Sequence, residues 1–189
     1  MRIIGGEARG RRINLPRGCR IRPTADRVKE SLFDILHPVE GVRFLDIFAG
    51  CGNCGLEALS RGARRAVFIE KEPRLVKAIG ENLRLLGFEG RAEVIAADAE
   101  RGVRRLAQRE ERFDILFADP PYGEGFLPEI MKLLEGANLL AENGVFVLQH
   151  SVREQLAGSC VQAMVMADQR RYGDTVLSFL KQHAEAENP

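Results

Sequence analysis

From residue 42 onward the chain alternates short apolar runs with amphipathic stretches of helical period, and that alternation restricts the folds open to it. Val42 to Phe48 reads as a strand, followed by a glycine-rich turn and a helix ending near Gly62. Ala66-Val67-Phe68-Ile69 is a second strand. A helix is predicted over Pro73 to Leu86, with proline at its favoured first position and Leu75, Val76, Ile79, Leu83 and Leu86 facing inward. Glu93 to Ala96, Phe113 to Ala118 and Gly144 to His150 are further strands, separated by a short helix at 101–109 and a helix over Phe126 to Glu135. Strands interleaved in this way with helices build a parallel sheet covered on both faces. Two closing β-like runs, Cys160 to Met166 and Thr175 to Leu180, have little helix between them and predict an antiparallel edge hairpin. The expected class is therefore α/β: a Rossmann-like, mostly parallel, doubly wound sheet with an antiparallel edge strand and a small N-terminal β/helix extension.

The extension is set apart by charge. Residues 1–29 carry nine basic side chains against Glu7 and Asp26, whereas the remaining residues hold 19 basic and 25 acidic groups. A +7 arm on a −6 body points to a polyanionic partner. Eight of the nine are arginines, which favours forked phosphate contacts. Gly5-Gly6, Gly10, Pro16 and Gly18 punctuate short β-prone pieces, so the first 20 residues read as a hairpin or irregular arm. A helix over Ala25 to Leu36 follows, with Thr24 as N-cap and His37-Pro38 as its stop. The expected organisation is an RNA-binding extension at 1–38, a catalytic domain at 39–183 and a polar tail at 184–189.

The remaining composition is that of a globular cytoplasmic protein, with 45% hydrophobic and 29% charged residues and no secretory signal pattern. No apolar run approaches the roughly 20 residues that span a bilayer. Four irregularly spaced cysteines do not form a disulfide framework, and no set of residues with metal-ligand spacing is present, so no metal is expected. Cys51 and Cys54 do form C-x-x-C at a helix start, but the glycines around them explain that loop better than a redox role does. His37, His150 and His183 read as structural or surface residues.

Gly50, Gly52 and Gly55 satisfy G-x-G-x-x-G between the first strand and its helix, and Glu70 closes the next strand 20 residues after Gly50. That is a nucleoside-binding fingerprint: the loop backbone approaches the ligand, and the acid accepts the ribose hydroxyl hydrogens. Asp46, just before the loop, selects among nucleosides. It suits the amino-acid end of S-adenosylmethionine and would repel a dinucleotide pyrophosphate. Phe48 and Ala49 complete the cofactor-facing loop. Asp98 and Ala99, after the third strand, are placed to accept the adenine amino group and to donate a backbone N–H to the ring.

Asp119-Pro120-Pro121-Tyr122 leaves the fourth strand at its carboxyl end, where open α/β sheets bind ligands. The two prolines stiffen the loop and aim its carbonyls. Asp119 and the Pro120 carbonyl can accept both hydrogens of an exocyclic amine while Tyr122 stacks on a flat base. Asp119, Pro120 and Tyr122 are thus the catalytic candidates, Asp119 also facing the cofactor. An amino methylase acting on adenine N6 in DNA shares this logic. An NAD-dependent oxidoreductase and a non-catalytic RNA-binding assembly factor are more distant readings.

With these residues assembled, the chain resembles the RsmD family, bacterial methyltransferases that modify a guanine N2 of small-subunit (16S) ribosomal RNA. The resemblance rests on Arg2-Ile3-Ile4-Gly5-Gly6 with Gly10-Arg11 and on the block from Arg22-Pro23-Thr24 to Phe33. It continues through Leu45 to Gly50, Gly55 to Ala63 and Asp119 to Tyr122, and closes with Tyr172-Gly173-Asp174-Thr175. Cys51, Asn53 and Cys54 stand where Ser, Ala and Leu are usual. The resemblance implies a class I methyltransferase sheet with S-adenosyl-L-methionine as donor and an assembling 30S particle as substrate. The RNA-facing set is then Arg2, Arg9, Arg11, Arg22, Thr24, Arg27 and Tyr172.

Overall fold

A computed structural model of the chain describes residues 1–16, 26–123, 125–154, 156 and 164–183. Its elements follow in the order α1 (Asp26–Ile35), β1 (Arg43–Ile47), α2 (Asn53–Ser60), β2 (Arg65–Glu70), α3 (Pro73–Leu86), β3 (Ala92–Ala96), α4 (Ala99–Gln108), β4 (Phe113–Ala118), α5 (Phe126–Ala137), β5 (Leu140–Ser151), β6 (Met164–Tyr172) and β7 (Thr175–Gln182). They form one seven-stranded sheet in the order β3-β2-β1-β4-β5-β7-β6. The first five strands pair in parallel, while β7 runs antiparallel to both β5 and β6. Strand order reverses between β1 and β4, which opens a crevice at their carboxyl ends.

Strand periodicity sorts the core into two layers. On one face Phe44, Phe68, Ile115, Phe117 and Val147 pack with Leu56 and Leu59 of α2 and with Ile79 and Leu83 of α3. On the other, Leu45, Ile47, Val67, Ile69 and Leu116 pack with Val103 and Leu106 of α4 and with Ile130, Met131 and Leu134 of α5. Ile3, Ala8, Ile13, Val28, Leu32 and Phe33 belong to the first layer, so the hydrophobic core continues across residue 38. The arm is a small hairpin: Ile3 N–H donates to Arg11 O at 2.9 Å, Gly10 N–H to Ile3 O at 2.8 Å and Ile13 N–H to Met1 O at 3.2 Å.

Where element boundaries differ from those expected, three have a visible cause. The fourth helix begins at Ala99 rather than 101 because the Asp98 carboxylate caps it, accepting from Arg101 N–H at 2.8 Å. The fifth strand begins at Leu140, four residues early, and its pairing with β4 carries a register shift between Phe113 and Ile115. The sixth runs on to Tyr172. It is an edge strand whose residues from Val165 to Arg171 are mostly exposed, so it carries no apolar alternation to read. Thr24, Arg22 and Cys160 lie outside the described residues. Among the described residues no helix is long and apolar enough to cross a membrane.

Candidate active site

The carboxyl ends of β1 to β4 open into a cleft of about 1340 Å³. Its lining includes Phe48, Glu70, Asp98, Ala99 and the whole Asp119-Pro120-Pro121-Tyr122 loop, which brings together residues from four separate strand ends. At the mouth of the loop Asp119 and Tyr122 are half-buried, Pro120 is buried and Pro121 is exposed. The cleft then runs on between α4 and α5, past Arg104, Lys132 and Leu133.

The glycine loop is held from below rather than left free. Ala49 N–H donates to Ile69 O at 3.0 Å, and Gly50 N–H donates to the Glu70 carboxylate at 2.8 Å. The other Glu70 oxygen accepts from Glu72 N–H at 2.8 Å. A carboxylate offers about four lone-pair directions, so Glu70 can still accept from a diol after both of these bonds. Gly52 takes φ 84° at the N-cap of α2, a left-handed conformation that glycine adopts without cost. Gly55 serves packing: a Cβ there would stand 2.3 Å from the Phe68 ring, so its absence lets α2 lie close on β2. Phe48, at φ 62°, is the costly member of the loop, because a bulky side chain in this region is strained. Its ring meets Phe126 edge to face at 5.9 Å between centroids, across the cleft wall.

Asp46 sits below the loop, 2% exposed, and accepts from Gly55 N–H at 2.8 Å. Burial raises its pKa well above the usual carboxylate range; the Gly55 bond opposes that shift, and the nearby charges of Asp119 and Glu70 add to it. Three carboxylates thus converge on one strand-end region, a setting complementary to a cation and hostile to a pyrophosphate. Asp98, half-exposed, caps α4 with one oxygen and lies beside Arg101 with the other. The residues present fit S-adenosylmethionine: acceptors for the ribose diol and the adenine amine, negative charge toward the sulfonium, and a cleft roomy enough for a nucleoside.

Cys51 and Cys54 are both buried and neither forms a disulfide, and burial pushes the Cys51 thiol up to about 11, the opposite of an activated cysteine. Among the described residues no group of His, Cys, Asp or Glu side chains could hold a metal ion. His150 is buried and bonds Ser178 Oγ at 2.9 Å through Nε2, while His37 and His183 are exposed.

The RNA-facing candidates are spread over the arm and α1. Arg9 and Arg27 are exposed. Arg2 is exposed but pairs with Asp26 at 3.1 Å, and Arg11 donates to the Leu85 carbonyl. Tyr172 is half-buried, its hydroxyl shared with Ser31 Oγ of α1, and its ring packs on the first core layer. Sequence reasoning missed Gln149. On β5 and only 4% exposed, it reaches the Tyr122 hydroxyl from Nε2 at 3.4 Å, and its Oε1 has no hydrogen-bond partner among the described residues. A glutamine directly after the apolar run Val145 to Leu148 was the one available signal. Reasoning from sequence also missed Lys29 and Asn82, each fully buried.

Known proteins share this architecture. A family model described as "Conserved hypothetical protein 95" matches residues 1–181. The Bacillus subtilis protein YlbH is 37% identical over 182 residues, 96% of this chain and 98% of its own. Ribosomal RNA small subunit methyltransferase D of Escherichia coli K12 is 40% identical over 157 residues, 82% of this chain and 77% of its own. Among solved structures, the Escherichia coli protein yhhF superposes with a TM-score of 0.85 at 32% identity, covering 98% of this chain and 99% of that one. TTHA0928 of Thermus thermophilus gives 0.81 at 34% identity, covering 96% and 99%. The fold is that of the class I methyltransferases, whose donor is S-adenosylmethionine, and the chain belongs to the RsmD family, the one whose model matches here.

Proposed function

We propose that this protein transfers a methyl group from S-adenosylmethionine to the exocyclic N2 of a guanine in small-subunit ribosomal RNA, within the assembling 30S particle in the cytoplasm. The observation that carries this reading is the stiff Asp119-Pro120-Pro121-Tyr122 loop on the wall of a cleft that also presents Glu70, Asp98 and Ala99. The relatives' names supply the nucleic acid class: the Escherichia coli relative is a small subunit ribosomal RNA methyltransferase.

When bound, the donor supplies an electrophilic methyl on a sulfonium. The chain's own residues do the rest. Glu70 holds the ribose, while Asp98 and Ala99 hold the adenine. Guanine N2 is a weak nucleophile because its lone pair is delocalised into the ring. Asp119 and the Pro120 carbonyl accept its two hydrogens, localise that pair and aim it along the line of transfer, and the proton that N2 sheds on gaining the methyl passes to the Asp119 carboxylate and on to water. Tyr122 stacks on the splayed base, an interaction worth roughly 1–3 kcal/mol at comparable single-strand sites. No covalent enzyme intermediate is required, so positioning and electrostatics supply most of the acceleration. The extension at 1–38 holds the RNA backbone through Arg2, Arg9, Arg11 and Arg27, together with Arg22 and Thr24. Tyr172 braces α1 behind it.

Incubation with labelled S-adenosylmethionine and unmodified small subunits, followed by nucleoside digestion and mapping, tests the proposal. The expected product is a single N2-methylguanosine in 16S RNA. Label on adenine N6, or on no nucleotide, would overturn it.

A further inference from the structure

Two buried polar side chains each hold one atom of the glycine loop and backbone of the arm. Asn82 of α3 donates from Nδ2 to Cys51 O at 3.2 Å and to Asn14 O at 3.0 Å, and its Oδ1 accepts from Asn14 N–H at 2.7 Å. Lys29 of α1 donates from Nζ to the Asn53 side-chain oxygen at 2.8 Å and to Arg2 O at 2.7 Å. Its charge is met by Glu57 of α2 at 3.2 Å, both side chains being wholly buried. Glu57 in turn accepts the N–H groups of Ile4 at 2.9 Å and Gly5 at 2.7 Å. Cys51 and Asn53 flank Gly52, so the loop is gripped on either side of its turning point, and in both places the grip is shared with the arm.

We propose that the arm is a working part of the donor site, with Lys29, Asn82 and Asn53 as positioning residues that couple RNA engagement to donor affinity. The coupling follows from burial. Polar groups shut away from water cannot trade one partner for solvent at little cost, so a shift of the hairpin must either break these bonds or carry the loop with it. On the cleft side the loop is tied by Ala49 N–H to Ile69 O and by Gly50 N–H to Glu70, so movement at Cys51 or Asn53 reaches residues that line the cleft. By linkage, whatever fixes the arm tightens the donor, and the donor tightens whatever fixes the arm by the same factor. The inference rests on the reading that the arm touches RNA.

Asn53→Ala isolates the effect. It removes the loop's acceptor but leaves Lys29 bonded to Arg2 O and Glu57, so the arm stays docked. Calorimetry with S-adenosylhomocysteine, which cannot turn over, is run with and without unmodified small subunits. In the wild type the subunits should tighten the ligand by about fivefold or more. Asn53→Ala should weaken the ligand several-fold in the free protein and reduce the coupling factor toward one. Asn53→Asp, which keeps an acceptor for Lys29, should restore both. Asn82→Ala cuts the grip on the Cys51 side and should also lose coupling, which keeps the test decisive if Asn53→Ala unfolds. Unchanged coupling in both alanine variants, or equal losses in Asn53→Ala and Asn53→Asp, would overturn the inference. So would a wild type that binds ligand and methylates RNA with no coupling. A wild type that fails to methylate the subunits at all would instead count against the functional reading.

Discussion

Asp46 and Asp119 are both carboxylates near strand ends, yet their surroundings fit them for different work. Asp119 lines the cleft at the head of a rigid loop, where it can meet an incoming amine. Replacing it with alanine should lower methyl transfer to small subunits by about 100-fold or more, the cost of removing one preorganised partner from a site of this kind. Donor affinity measured by calorimetry should change much less. Asp46 is buried, and its pKa is raised chiefly by that burial. An acid whose folded pKa exceeds its unfolded value has its full stabilising effect below the unfolded pKa, near 3.9, and loses it as pH rises toward the folded pKa. Asp46→Asn keeps an acceptor for Gly55 N–H and removes the ionisation. It should raise the melting temperature at pH 7 by about 2–4 °C for each kcal/mol recovered and flatten the decline in stability above pH 4. Thermal melts across pH 4 to 8 read both effects, and an unchanged pH profile would exclude Asp46 as the titrating group.

At the scale of elements, α1 and α2 are joined by a charge pair that no solvent reaches. Lys29→Met would fill the space but take from the Glu57 carboxylate its wholly buried cation, leaving Ile4, Gly5 and the partly exposed Arg61 as partners. Breaking a buried pair from one side costs about 3–5 kcal/mol. Denaturant unfolding of Lys29→Met should show a loss of that size, and a loss under about 1 kcal/mol would mean the pair is idle. The elements themselves were largely legible. The alternation of strand and helix, the proline opening α3 and the glycine turn after β1 each leave a local mark in sequence, and strands joined through helices pair in parallel. Lys29 and Asn82 were not legible, because their partners Asn53 and Asn14 lie 24 and 68 positions away. A single polar residue on an apolar helix face looks like a surface residue until the fold brings those partners to it. Gln149 escaped for the same reason, and the exposed edge strand β6 because solvent imposes no pattern on it.

At the scale of the molecule, charge is divided between a basic hairpin with its helix and an acidic body. Among the described arginines of the proposed RNA-facing set, all exposed, Arg2 pairs with Asp26 and Arg11 bonds the Leu85 carbonyl, which leaves Arg9 and Arg27 as the two with neither kind of tie. Their joint reversal to glutamate should weaken binding to single-stranded ribosomal RNA. It should also lower the slope of log affinity against log salt by about 0.7 for each phosphate no longer neutralised. Filter binding over a salt series measures it, and an unaltered slope would exclude a phosphate role for these two. The lining of the cleft was legible at this scale because the strand ends that form it each carried a marked residue: Phe48, Glu70, Asp98 and Asp119. The arm's share in the core was not, since charge dominated its reading and concealed Ile3, Ala8 and Ile13 beneath.

The chain has two tyrosines and no tryptophan, and the fold assigns them to different surroundings. Tyr172 is fastened to Ser31 behind the sheet, while Tyr122 stands at the cleft. The protein therefore carries its own optical reporter. In Tyr172→Phe all near-ultraviolet emission excited at the phenol band comes from a single ring on the cleft wall. Quenching of that emission as S-adenosylhomocysteine or RNA is titrated in should follow occupancy of the cleft without any attached dye, and constant emission at saturation would place the ring out of reach of both.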